Sequence, residues 1–294
     1  MKRRLGVALA LVFVGLSPAV ARAGEPVNVP WESLLPPLGK NVGALPRGLP
    51  ECRHLRVACV ERAARRFGRL ADRYGCDHRA VFARNYQLLT QVLVRYLRTP
   101  GFFDDPRYIE FEAVLFERAY LAAMRIWDQD PMREPGAWSV ALQAWRQGDT
   151  YGLQDLLLGI NAHVQRDMPF VVAAAGVGAR RKPDHDRMNL VLDAAYESIV
   201  RMVGDDFDPS TTVLAPSFLP TDDYMGLELV KGWREGVWRN AERLLDAKTE
   251  AERQQVTAQI EQNAEAQARI MAIATPGWGA QRDAYCRSKL QPAK

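Results

Sequence analysis

The sequence predicts an all-α fold: a single-domain bundle of about seven or eight helices behind an extended N-terminal arm. Three observations carry that prediction. From about residue 58 to residue 274, apolar residues recur at three- and four-residue intervals. Prolines and glycines mark most of the short breaks between these stretches, and no stretch shows the alternation of a strand.

The chain opens with Lys2, Arg3 and Arg4, followed by an apolar run over residues 5–16 and a small-residue exit, Ala21-Arg22-Ala23, before Gly24. These are the parts of a secretory signal peptide, and the run falls short of the roughly 20 residues that span a bilayer. Residues 1–23 are expected to be cleaved, leaving a secreted or periplasmic protein with no transmembrane segment. The whole chain carries 39 basic and 35 acidic residues. The leader takes four basic residues and no acidic one, so the remainder holds 35 of each sign. The basic excess belongs to targeting, and it gives no reason to expect a nucleic-acid partner.

Residues 24–50 contain Pro26, Pro30, Pro36, Pro37, Pro46 and Pro50, which prevent regular structure and form the arm. The helical domain is expected over residues 51–294. Its first helix runs over residues 58–74 and stops at Gly75. Asp77 caps the second, in which Phe82, Tyr86, Leu89 and Leu93 share a face, and Pro100-Gly101 ends it. Pro106 starts a third, to about Trp127, and Trp138 to Trp145 gives a short fourth. Asp149 caps a strongly apolar fifth helix, residues 151–175, kinked at Pro169. Asp184 opens a sixth, through Val203, and 204–220 is a long loop. Two last helices cover residues 222–246 and 250–274, the second capped by the Thr249/Glu252 box.

Cys52, Cys59, Cys76 and Cys286 all lie beyond the leader. An even count outside the cytoplasm points to two disulfides, and four cysteines allow three pairings. Cys52–Cys59 with Cys76–Cys286 is the preferred one, because a loop cysteine reaches back to a helix start and the other pair then ties down the C-terminal tail.

The fifth helix is the informative one. Asp155, Gly159, His163 and Asp167 recur every four residues along a segment too apolar to face water. Buried polar groups need partners or a cavity. The sixth helix offers a second stripe, His185, Asn189, Asp193 and Tyr196. Packed together, the stripes would join two imidazoles and several carboxylates, the ligand set of zinc, manganese or iron. His163, Asp167 and His185 are the expected metal ligands, with Asp186 or Asp193 as proton acceptor for a metal-activated water. The order His163, His185-Asp186 and then Asp222 or Asp223 makes a phosphoester the first substrate class to try. The bland reading of the same residues is a structural network. Glu110, Glu112 and Glu117 are expected to be mostly solvated, His54 and His78 to sit at the surface, and Trp233 and Trp238 to be core.

Three segments carry a family resemblance: Gly159-Ile-Asn-Ala-His-Val-Gln-Arg-Asp-Met-Pro-Phe170, Lys182-Pro-Asp-His-Asp-Arg-Met-Asn189 and Trp238-Arg-Asn-Ala-Glu-Arg-Leu244. They resemble the hallmarks of the bacterial domain-of-unknown-function 5995 family. The resemblance implies an all-helical domain and draws attention to Asn161, His163, Asp167, Pro169, His185 and Asn189. It implies no activity. The residues support two function classes: an exported metal-dependent hydrolase, or a non-catalytic envelope or ligand-binding protein whose buried His/Asp/Asn network is structural and whose small-molecule ligand is unknown.

Overall fold

The computed structural model describes residues 52, 54, 56–133, 136–211 and 222–290. The expected leader and arm lie outside the described residues. Helix α1 (Val57–Tyr74) and α2 (Arg79–Leu97) form a tightly packed pair joined by a short turn. Asp77 accepts the Arg79 backbone N–H at 2.9 Å, as a capping residue should. Helix α3 (Pro106–Gln129) starts at its proline, and the Asp105 carboxylate accepts the Tyr108 N–H. A 3₁₀ turn (Pro131–Arg133) and α4 (Gly136–Gln147) come next.

The expected fifth helix is three pieces: α5 (Gly152–Ile160), a π-helical stretch (Asn161–Asp167) and α6 (Met168–Ala175). The irregularity lies just before Pro169, which occupies the first turn of α6 and has no N–H to continue the ladder. The Met168 N–H reaches back five residues to the His163 carbonyl. Each extra residue in such a stretch rotates the rest of the helix by roughly 100°. The four-residue stripe therefore does not stay on one face. Asp149 does not cap this segment: α5 is capped at Tyr151, with Gln154 closing the box. Instead the Asp149 carbonyl holds Thr275.

Helix α7 (Lys182–Met202) begins two residues before Asp184. The Asp184 carboxylate instead accepts the backbone N–H groups of Asp104 and Asp105, at 2.8 and 2.6 Å, and fixes the start of α3. A second π stretch (Val203–Phe207) continues α7 into the expected loop, whose residues 212–220 lie outside the described residues. Helix α8 (Asp222–Asp246) falls at its predicted place, and α9 (Glu250–Met271) carries the Thr249/Glu252 box as expected. One further helix, α10 (Trp278–Leu290), has no counterpart in the sequence reading.

The core has two apolar clusters. One gathers Val60, Leu93, Ile109, Leu156, Val191 and Trp238 around α2, α3, α7 and α8. The other is aromatic, built on Phe67, Phe82, Tyr86, Tyr120, Trp138 and Trp145. Trp233 and Trp238 are core, as expected. Two glycines record close approaches. A methyl on Gly159 would lie 2.2 Å from Cδ2 of Phe82, and one on Gly279 would lie 1.9 Å from the Gly148 carbonyl oxygen. Glycine at those positions lets α5 seat on α2 and α10 dock on the turn after α4.

The disulfides are Cys52–Cys59 and Cys76–Cys286, the preferred pairing, and there is no free thiol among the described residues. The second joins α10 to the turn between α1 and α2. Among the described residues, no helix is long and apolar enough to cross a membrane.

Candidate functional site

His163 and Asp167 meet as expected. His163 is fully buried, and its Nδ1 donates to Asp167 Oδ2 at 2.8 Å. The indole N–H of Trp138 donates to the same oxygen at 3.0 Å, and Arg166 occupies the other carboxylate oxygen at 2.7 Å. Burial opposes ionisation of Asp167, but His163 and Arg166 outweigh it and hold the carboxyl below its ordinary range. Burial also pushes the His163 imidazole down, against the pull of Asp167, so the ring is neutral. The ring stacks on Phe116 at 3.5 Å, with Phe82, Tyr86, Tyr120 and Trp138 around it. Three of the roughly four acceptor positions of the Asp167 carboxylate are thus filled by protein donors.

His185 stands in a different set of contacts. Its Nε2 donates to the Arg234 carbonyl at 3.0 Å, and its ring lies 5.1 Å from that of Trp238. Burial, with Arg234 nearby, holds this imidazole well below its ordinary pKa. The remaining predicted residues scatter. Asp155 belongs to a buried cluster with His78 and Thr150 at the far end of α5. Asn161 donates to the Ala264 carbonyl, and Gln165 joins Asn161 to Gln267 on α9. Asp186 pairs with Lys182, and Asp193 with Lys231. Among the described residues no group of three or more His, Cys, Asp or Glu side chains is placed to hold a metal ion. His163 and Asp167 thus share one set of contacts, and His185, on α7, has another. The side chains of Asp222 and Asp223 lie outside the described residues.

The expectations for four residues placed at the surface also change. His78 is buried at 4 % exposure, and so are Glu110, Glu112 and Glu117. Glu117 is held by a two-pronged ion pair from Arg66. Glu112 has no such partner. His54 is exposed, as expected.

Glu112 faces the feature that sequence reasoning missed. A cavity of about 280 Å³ opens between α2, α3, α5, α7 and α8. Its walls are mostly apolar, with Leu89, Leu93, Leu156, Met188, Leu192 and Val230 among them. Tyr196, from the predicted stripe, lines it too. Three buried charged groups also reach the wall: Glu112 and Glu117 from α3 and Arg234 from α8. Arg234 is positioned by neutral acceptors only. Its Nε donates to Asn189 Oδ1 at 3.0 Å and its Nη2 to the His185 carbonyl at 2.5 Å, while Nη1 has only the Met168 sulfur, 3.6 Å away. Oε1 of Glu112 and the hydroxyl of Tyr108, one turn earlier, have no hydrogen-bond partner of good geometry among the described residues. The Asn189 and His185 expectations thus reappear in another role: they aim Arg234.

Burial pushes the Glu112 carboxyl up to about 7, against the lowering influence of Tyr108, Arg234 and Arg181. The consequence for stability has a definite sign. Below pH 4.5, the ordinary glutamate value, folded and unfolded chains both hold the proton. Between there and about pH 7 only the folded chain does, so stability falls as pH rises; above that the penalty is constant. Its size is roughly 3 kcal/mol. Glu112→Gln is therefore expected to be more stable than wild type by up to about 3 kcal/mol at pH 8, with the gap closing by pH 5. Urea unfolding at the two pH values measures it, and a gap independent of pH would contradict the assignment.

A family model described as "Family of unknown function (DUF5995)" matches residues 60–274, a span from α1 to the end of α9. No curated protein and no solved structure matches the chain.

Proposed function

The chain belongs to that family of unknown function, DUF5995, and from its geometry we propose that it is a non-catalytic binding protein for a small, largely apolar molecule held in the interior cavity. The observation that carries the reading is the cavity itself: about 280 Å³, walled mostly by apolar side chains, with the buried Glu112 and Arg234 among its polar groups. Ligand sites are typically concave and apolar with a few placed polar groups, and roughly 300–1,000 Å³ suits drug-sized molecules. This one falls just below that range. A void of this size also weakens the core by removing dispersion contacts, a cost that a bound molecule would recover.

The hydrolase reading has less behind it. Its proposed ligands divide between the Asp167 and His185 groups, and its proposed proton acceptors, Asp186 and Asp193, are each paired with a lysine. The reading places the protein outside the cytoplasm, in keeping with the basic–apolar–small pattern at the N-terminus and the two disulfides. The test is calorimetric titration of 1-decanol into wild type and into Ala113→Phe, which puts a ring where an alanine borders the cavity. Wild type should bind with a negative heat-capacity change, the marker of apolar burial, and the variant should lose at least about tenfold in affinity. Equal binding by both, or none by either, would end this reading.

A further inference from the structure

Resting on that reading, we propose that the cavity's ligand is a medium-chain carboxylate amphiphile, with its carboxylate paired to Arg234 and hydrogen-bonded by the carboxyl of Glu112. The unusual feature is a guanidinium with no counter-ion beside it. Among the described residues, no carboxylate lies within ion-pair distance of Arg234, although other buried or half-buried arginines have one. Its acceptors are an amide oxygen, a backbone carbonyl and a thioether. Those contacts fix the fork but leave its charge unneutralised, and Nη1 keeps donor capacity that a sulfur acceptor satisfies weakly. Burial lowers the Arg234 pKa for the same reason. A planar, two-oxygen monoanion is the partner that a guanidinium recognises best.

Glu112 completes the head-group site. It lines the same cavity, is buried, and has an oxygen without a partner. Two carboxylates side by side repel, but a carboxylic acid beside a carboxylate donates an O–H hydrogen bond. The ligand oxygen accepts that proton's hydrogen bond, while the other oxygen accepts from Arg234. The groups bearing on Glu112 are Tyr108 on its own helix, Arg181 before α7, Asp184 on α7 and Arg234 on α8. Of these, Asp184 is already neutralised by two backbone N–H groups and Arg187. The rest of the wall is mostly apolar, aliphatic and aromatic, which suits an alkyl chain, and the modest volume suits a chain of medium length.

The pairing requires Glu112 to be protonated in the complex. Binding should therefore weaken about tenfold per pH unit once the free protein loses that proton. A cavity that selected only for apolar bulk would show no such dependence.

Decanoate, 1-decanol and decylamine should be titrated into wild type, Glu112→Gln, Arg234→Gln and Ala113→Phe at pH 6 and pH 8.5. In wild type at pH 6, decanoate should bind roughly 10- to 100-fold more tightly than decanol. At pH 8.5 that preference should largely vanish in wild type and persist in Glu112→Gln, whose amide donates a hydrogen bond at either pH. Arg234→Gln should lose the preference at both pH values while still binding decanol. If that variant fails to fold, Glu112→Gln alone decides through its pH profile. Equal affinity for decanol and decanoate at pH 6, both lost in Ala113→Phe, would overturn the head-group assignment and leave the cavity reading standing. Tightest binding of decylamine would also overturn it, by assigning an ionised Glu112 to a cationic head. No binding of any probe, or binding unaffected by Ala113→Phe, would remove the cavity reading and this inference together.

Discussion

Asp167→Ala should destabilise the protein by about 3–5 kcal/mol, with no change in its response to a chelator. The carboxylate accepts from His163, Trp138 and Arg166, and it is 2 % exposed. Truncation leaves an indole N–H and an imidazole N–H unpaired in an aromatic cage, each at roughly 1–3 kcal/mol. It also strips Arg166 of one of its two carboxylates, the other being Glu261. Asp167→Asn should cost less, since an amide oxygen still accepts from Trp138. Urea unfolding with and without EDTA, and with added zinc or manganese, is the measurement. If Asp167 were a metal ligand, wild type would lose stability in EDTA and the alanine variant would be indifferent to it.

The second large effect concerns the C-terminal helix. Replacing both Cys76 and Cys286 by serine should cost roughly 5 kcal/mol, because the bond closes a 210-residue separation and so restricts the unfolded chain strongly. The same argument gives roughly 2 kcal/mol for Cys52–Cys59, separated by 7 residues. Local contacts act in the same direction. Arg282 on α10 is fully buried, donates to the Cys76 carbonyl and lies 3.7 Å from Asp155, which in turn binds His78. Once α10 is untethered, that buried charge cluster loses its cation and opens to water. Denaturant midpoints of the two double variants rank the bonds. A Cys52/Cys59 variant as destabilised as the Cys76/Cys286 one would refute the loop-length account.

Most of the helical boundaries were legible because they are set locally. Pro106 at a first turn, Thr249 with Glu252 and the stop at Gly75 act within a few residues. Helix α10 was not legible, since a disulfide, a buried arginine and the close approach of Gly279 hold it to the body, not an apolar stripe. The π stretch hid in the same way. Pro169 announced an irregularity, but nothing local says that the ladder widens before the proline instead of bending at it. That misreading moved the site. A stripe of period four holds only while the helix stays α, so the spacing does not tie Asp155, which joins His78, to His163; His185, on the regular α7, meets the Arg234 carbonyl through long-range packing.

The cavity left a fainter mark. Glu112 sits in an otherwise apolar stripe with Ile109 and Phe116, and Arg234 in one with Val230 and Trp238. A charge inside such a stripe is the signal that was available. Whether it faces a void, an ion pair or water depends on which helices meet there, and that is a long-range property. Glu112 and Glu117 both border the cavity, but Glu117 has its own arginine and, among the described residues, Glu112 has none.

The most direct test of the binding reading is where a ligand goes. Crystals grown with 10-bromodecan-1-ol and measured at the bromine absorption edge locate the alkyl chain without assumptions about affinity. The account predicts an anomalous peak inside the cavity, among Leu93, Leu156, Met188 and Leu192, and its disappearance in Ala113→Phe. A bromine peak only on the protein surface, or none in a fully soaked crystal, would contradict it.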